Sequence, residues 1–184
     1  MKKILIMFIF IFLSCSSEKK EISFKTVSVE NNFQTSYETE IFFGKKLAKT
    51  VSGNSNLQLL NKDKTKAVIN CLYYEKNSHQ VDDVWLIKTE GKVINKIFSD
   101  KPVALYADEE LDNLLVVYYE PNEKTNFIRV LIYDVNKQIV KKEKQIQAVT
   151  NDYSLNKVKY SNKSFVFNFI NDIEETRFYS LSVE

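Results

Sequence analysis

Histidine, glycine and cysteine are all scarce in this chain, as are helix signals. The 184 residues hold one histidine, three glycines and two cysteines. Each scarcity excludes something. With His79 alone and no second usable thiol, no zinc site of ordinary His/Cys composition can be assembled. Gly44, Gly53 and Gly91 stand far apart, so there is no phosphate-cradling loop and no G-x-S-x-G elbow. Any Ser-His-Asp set would have to draw on His79, which sits in a polar loop. Only residues 140–150 can be written as a short helix, and their Lys and Gln content suits an exposed strand or loop equally well.

Excess charge is also lacking. The formal net charge of +2 comes from 26 basic and 24 acidic residues, with a pI near 8.3. Lys2 and Lys3 precede an apolar run, and if that segment is removed, 24 residues of each sign remain. No basic excess is then left to track nucleic acid by counterion release. The same balance gives no reason for binding an anionic bilayer by charge.

The N-terminus does carry a signal. Met1-Lys2-Lys3 is followed by an apolar run over 4–13 and then by Ser14-Cys15-Ser16-Ser17. A basic start, a short apolar core and small residues at its end make a secretory signal. The run falls well short of the ~20 residues needed to span a bilayer as a helix. Leu13-Ser14-Cys15 resembles the lipobox of bacterial lipoprotein precursors, with Phe12 where that family usually has leucine. The resemblance implies cleavage after residue 14, acylation of Cys15 (palmitate or a similar chain), and residence in the bacterial cell envelope. The expected face is the periplasmic or surface side of the outer membrane. An ordinary secretory signal and an uncleaved anchor are the alternatives. Two or three acyl chains anchor stably, because each buried methylene contributes about 0.8 kcal/mol. Residues 15–21 then form a lipidated tether, and 22–184 a single domain. If Cys15 carries lipid, Cys71 has no partner for a disulfide. Its apolar run AVINCLYY marks it as a small buried hydrophobe.

From residue 22 onward the pattern is β. Strands are expected at 24–29, 37–43, 47–51, 57–60, 67–75, 84–88, 93–98 and 103–106, with 52–55 a loop. The stretch 114–142 organises the rest: two apolar runs flank a polar loop at 121–126, and a more polar run follows. It repeats. At an offset of 45, Tyr73-Tyr74-Glu75 falls on Tyr118-Tyr119-Glu120, and Trp85-Leu86-Ile87 on Val130-Leu131-Ile132. A third copy follows at an offset of 51, placing 165–171 and 178–183 on the two apolar runs. A weak earlier copy aligns Gly44 with Gly91. A period near 45 lies in the range of propeller blades. Apolar residues at consecutive positions require strands covered on both faces, whereas a one-faced sandwich predicts cleaner alternation. The expected fold is all-β: antiparallel repeated sheet units, propeller-like, resembling β-propeller-type repeats without a specific family. A β-meander barrel or a sandwich is the alternative. The last unit lacks an outer strand; residues 24–29 could supply it and close a ring, and without closure the fold is an open or barrel-like meander.

Candidate chemistry is thin. His79 beside Asp82 and Asp83 could bind a metal, yet a solvated loop is the better reading. The acidic turn 108–113 could bind Ca²⁺ but lacks the D-x-[DN]-x-[DN]-G spacing. Glu174-Glu175 is weaker still. Tyr73, Tyr74, Tyr118 and Tyr119 read first as cross-strand packing and second as a gripping surface. No catalytic, cofactor-binding or metal residues are assigned, and Cys15 is the one site residue. The expected function is a non-enzymatic binding module whose partner is an unknown envelope protein or glycan, with no nucleic acid. A carboxylate-based envelope hydrolase and an immunity or inhibitor lipoprotein are the alternatives. Cys15→Ala should shift the protein from the membrane to the soluble fraction; undiminished membrane association would contradict the lipobox.

Overall fold

Short polar breaks separate runs rich in Val, Ile, Tyr and Phe, and each run forms a strand paired with its sequence neighbour. The computed structural model describes residues 20–31, 34–75, 79–99, 104–120, 127–147, 154–170 and 176–184. The signal segment, Cys15 and the tether up to residue 19 lie outside the described residues, as do the loop 121–126 and Glu174-Glu175. The first sheet holds β1 (Ile22–Asn31), β2 (Gln34–Phe43) and β3 (Lys46–Ser52). The second holds β4 (Asn54–Leu60), β5 (Lys66–Tyr74), β6 (Gln80–Lys88) and β7 (Val93–Phe98). The third holds β8 (Ala104–Ala107), β9 (Asn113–Glu120), β10 (Phe127–Asp134) and β11 (Ile139–Gln147). The fourth holds β12 (Ser154–Ser161), β13 (Ser164–Ile170) and β14 (Thr176–Ser182). Strand order within each sheet follows the chain, and every pairing is antiparallel.

The turns set the equivalences. Gly44-Lys45 joins β2 to β3 as residues 89–92 join β6 to β7 and 135–138 join β10 to β11. Among the described residues the first sheet therefore lacks a counterpart of β4 and β8, and the fourth lacks a counterpart of β7 and β11. The weak early repeat is thus a sheet in its own right. Of the two outcomes, closure through residues 24–29 is not seen among the described residues: β1 pairs with β2 along its length, with Phe24 opposite Ile41 and Val29 opposite Ser36. Residues 24–29 are committed to the first sheet by a continuous antiparallel ladder with β2, and Phe24 packs with Ile22 in the first interface.

Two further expectations are corrected and one open reading is decided. The loop expected at 52–55 is a one-residue corner at Gly53 (φ 99°), where a Cβ would lie 2.6 Å from the Leu72 carbonyl oxygen. Glycine is required there, and its carbonyl accepts a hydrogen bond from Thr39 Oγ1 at 2.8 Å. Of the two readings left open for 140–150, the exposed strand holds over residues 140–147. Residues 80–83 begin β6 rather than ending a loop: they pair with residues 71–74 of β5, and Val81, Asp82 and Asp83 are buried.

The sheets stack through three apolar clusters, one between each successive pair. Ile22, Ile41, Phe43 and Val51 of the first sheet meet Ala67, Ile69, Cys71 and Ile87 of the second. Val68, Val84 and Leu86 meet Leu105, Leu114, Val116 and Leu131 of the third. Leu115, Val117, Ile128, Val130 and Ile132 meet Phe165, Phe167 and Phe169 of the fourth. Successive residues of a strand point to opposite faces. In β9, Leu114 and Val116 therefore serve one interface, and Leu115 and Val117 the next; all four are at most 3% exposed. The strand is apolar at consecutive positions for that reason. β11 covers nothing comparable, and eight of its nine residues stay at least partly exposed. The far face of the first sheet is polar, with Lys25 and Glu40 3.8 Å apart. The result is an all-β, propeller-like stack of four sheets in which, among the described residues, the first and fourth share no core cluster.

A polar seam reinforces the middle interface. Lys66 of the second sheet donates to the Asp112 carboxylate, which also accepts from Asn136 Nδ2 at 2.9 Å. The Asp112 carbonyl accepts the Val135 N–H at 2.9 Å. Burial alone would raise the Asp112 carboxyl, but the hydrogen bonds from Lys66 and Asn136 outweigh it and hold it below the usual carboxylate value.

Two measurements check this packing. Phe167→Ala should cost about 3–5 kcal/mol in urea unfolding, and Val140→Ala on the wet strand within about 0.5 kcal/mol. Equal losses would contradict the burial order. A depressed Asp112 carboxyl contributes stability above the ordinary aspartate value and loses it as pH falls through the lower folded value. Asp112→Asn should therefore flatten the decline in stability below about pH 4. An unchanged acid limb would show that the seam does not act through charge.

Candidate functional site

The concavity of the stack lies along its inner strands. β4, β8 and β12 are each the first strand of a four-stranded or three-stranded sheet, and they stand side by side where three sheets converge. Between them lies an open cleft of about 410 Å³. Gln58, Leu59 and Leu60 form one wall, Tyr106, Ala107, Asp108 and Glu109 the second, and Val158, Tyr160 and Phe165 the third. The alternation of β4 and β12 keeps Leu59 and Val158 half-buried while Gln58 and Lys159 reach solvent. β8 has only four residues before the acidic turn, so that turn hangs at the mouth. The Tyr160 ring is tilted at 54° against Phe165, centroids 4.9 Å apart. Burial, and then the Asp108 carboxylate, push the Tyr160 hydroxyl above its ordinary value, so it stays protonated and able to donate.

The acidic turn is a structural device. Asp108 Oδ1 accepts the Asp112 N–H at 2.7 Å, and Oδ2 accepts from Asn113 Nδ2 at 2.7 Å. Leu111 adopts a positive φ of 55° and buries its side chain to 1% exposure in the interface with the second sheet. With Asp112 engaged in the Lys66 seam, Glu109 and Glu110 are the turn's solvent-facing carboxylates. Among the described residues, no three His, Cys, Asp or Glu side chains are placed to hold a metal ion.

Asp82 and Asp83 do not converge on His79. As neighbours in β6 they face opposite interfaces. Asp83 is 2.6 Å from Lys96 Nζ, and accepts from Ser99 Oγ at 2.6 Å and from the Tyr73 hydroxyl at 3.2 Å. Asp82 accepts from Asn70 Nδ2 at 3.3 Å and Gln80 Nε2 at 3.2 Å. The His79 carbonyl accepts the Glu75 N–H at 2.9 Å. The buried charge of Asp83 is thus matched by a cation and two hydroxyls, as burial demands. Lys96 also lies 5.4 Å from the Trp85 ring, and Lys49 lies 4.4 Å from it. Cys71 is fully buried, and burial pushes its thiol up to about 11. A thiol with so little thiolate at neutral pH is a poor nucleophile.

The four repeated tyrosines split. Tyr118 is 8% exposed and sits in the cluster facing the second sheet, and Tyr73 is half-buried at the equivalent position of β5. Tyr74 and Tyr119 are 64% and 45% exposed. Each pair combines one packing residue and one surface residue, because adjacent strand positions point opposite ways. The cleft residues Tyr106 and Tyr160 carried no motif. The short strands at 57–60 and 103–106 were legible; their adjacency across three sheets was not.

No protein-family profile matches the chain, and neither does any curated protein. Solved structures do. The β-propeller domain of the Trilobed protease from Pyrococcus furiosus matches with a TM-score of 0.57 and 17% identity, over 89% of this chain and 52% of that one. Acylaminoacyl peptidase from Pyrococcus horikoshii matches with a TM-score of 0.56 and 10% identity, over 89% of this chain and 30% of that one. The chain spans about half the length of the first and less than a third of the second. At these identities the likeness concerns the fold, which is that of β-propeller domains.

Proposed function

We propose that this chain is a bacterial envelope lipoprotein, held to the membrane by lipid on Cys15, that acts as a non-enzymatic binding module. Its ligand is a peptide segment of an envelope protein, taken up in the axial cleft between β4, β8 and β12. The cleft itself carries the reading. It sets an apolar floor under two tyrosines and the exposed Gln58, with Glu109 at the rim. Tyrosines with packed rings and available hydroxyls suit polar chains with apolar side groups. An acidic rim suits a segment bearing Lys or Arg.

A carboxylate-based hydrolase is less well supported. Such chemistry needs two carboxyl groups about 5–9 Å apart across a cleft. Asp108 spends both oxygens on its own turn, which leaves Glu109 as the other acidic side chain lining the cleft. The neighbouring peptidases do not change this, because their likeness to the chain concerns propeller architecture.

The test is capture from envelope extract by the wild-type chain and by Tyr106→Ala/Tyr160→Ala. The wild type should retain a species that the variant loses, with both chains assayed within the folded baseline of their urea curves, because loss of the two packed rings lowers the variant's midpoint. Equal retention by both would refute the cleft. Retention abolished by glycan competitors and unaffected by protease treatment of the extract would replace the peptide with a glycan.

A further inference from the structure

The balanced total charge conceals a separation that the fold creates. The chain enters β1 at the end of the stack where the short turns lie: Gly44 N–H donates to the Glu21 carbonyl, and Ile22 N–H to the Lys64 carbonyl, both at 2.8 Å. On the first two sheets this end carries Lys20, Lys45 and Lys46, Lys62 and Lys64, and Lys92. The acids among these turns are Glu21, Asp63 and Glu90, and Glu21 lies 3.1 Å from Lys64. On the third sheet the same end carries the acidic turn 108–112 and Asp134, with Lys137 the one base among these turns. One half of the turn end is thus basic and the other acidic, with Lys66 and Asp112 meeting at the seam.

The basic half contains a pocket of about 260 Å³. Lys20, Lys46 and Lys92 stand around it, and Phe43, Leu47 and Ile94 supply apolar wall. Among the described residues none of the three lysines forms an ion pair. Leu47 is 46% exposed beside them. Cations around an apolar wall match a phosphate joined to a glycerol ester.

We propose that this basic half, centred on the pocket among Lys20, Lys46 and Lys92, binds the anionic phospholipid headgroups of the membrane that anchors the chain. The inference rests on lipid attachment at Cys15. Lys20 is five residues from Cys15, a span of at most about 18 Å when extended. Any anchor there holds the pocket near the headgroups, where clustered lysines are attracted within a Debye length of about 8 Å. The acidic half is repelled by the same surface. The stack therefore tilts with its first two sheets towards the bilayer, and Glu109 and the cleft mouth turn away from it. Binding and orientation then come from one charge separation.

The experiment places the acylated chain on vesicles of phosphatidylcholine, alone or with phosphatidylglycerol, and reads the acetylation rate of each lysine by mass spectrometry. Lys46 and Lys92 should react several-fold more slowly on the anionic vesicles, and high salt should abolish the difference. Lys157 and Lys159 on the far face of the fourth sheet should not change. Lys46→Glu/Lys92→Glu should remove the slowing at Lys45 and Lys62. Equal rates on both vesicle types, with the chain floating on both, would overturn this inference and leave the anchor standing. Flotation on anionic vesicles alone would support the basic surface and overturn the anchor; flotation on neither would overturn both. Slowing on neutral vesicles that grows with protein density would assign the surface to a second copy of the chain instead.

Discussion

Everything in this molecule depends on covering both faces of its middle sheets. A strand with one buried face needs an apolar residue at every second position; a strand with two needs them consecutively. Leu114 to Val117 meet the second condition, and so do the residues from Ala67 to Ile69. Neither sheet could stand alone in water with such strands. Each finds its partners in the sheets before and after it, and three interfaces follow from four sheets. Stability is then largely a sum of nearest-neighbour terms, as in other stacked repeats. The terminal sheets show the boundary condition. Each turns one apolar face inward, and the outer face of the first is dressed with Lys25, Glu38 and Glu40.

The same requirement governs the polar residues. A carboxylate placed between sheets must be matched, and each one that is buried here has been. Asp83 has a lysine and two hydroxyls, and Asp82 has two amides. Asp108 closes its own turn, while Asp112 joins two sheets. The acids that looked promising as chemical groups thus hold the architecture. The recognition proposed for the chain rests instead on the shape of the cleft, the aromatic surface beside it, and the distribution of charge over the turn end. Those three features are products of stacking.

Much of the fold was legible because burial leaves a local mark. The repeat at 45 residues, the wet outer strand and the two apolar strands of the last unit can all be read from runs of apolar and polar residues. The failures have one cause. Whether residues 24–29 pair with the last strand or with 36–41 depends on the arrangement of the whole stack, and their own alternation suits either. Asp82 and Asp83 resemble loop residues because carboxylates in a buried strand are uncommon; their partners Lys96, Ser99 and Asn70 come from elsewhere in the chain. The cleft was invisible for the same reason. Tyr106 and Tyr160 are 54 positions apart and gain a shared surface only when three inner strands meet. Charge separation was hidden by the total: equal numbers of acids and bases say nothing about which turns share an end.

The central claim is an open stack in which middle sheets are covered twice and terminal ones once. Amide hydrogen exchange resolved by residue tests it most directly. The account predicts slowest exchange in β5, β9 and β10, faster exchange in β13, and the fastest along β1, β11 and β14. Exchange in β1 and β14 as slow as in β9 would mean that the first and fourth sheets are joined. Slower exchange over residues 141–144 than over 114–119 would invert the order of inner and outer strands, and either result would contradict the account.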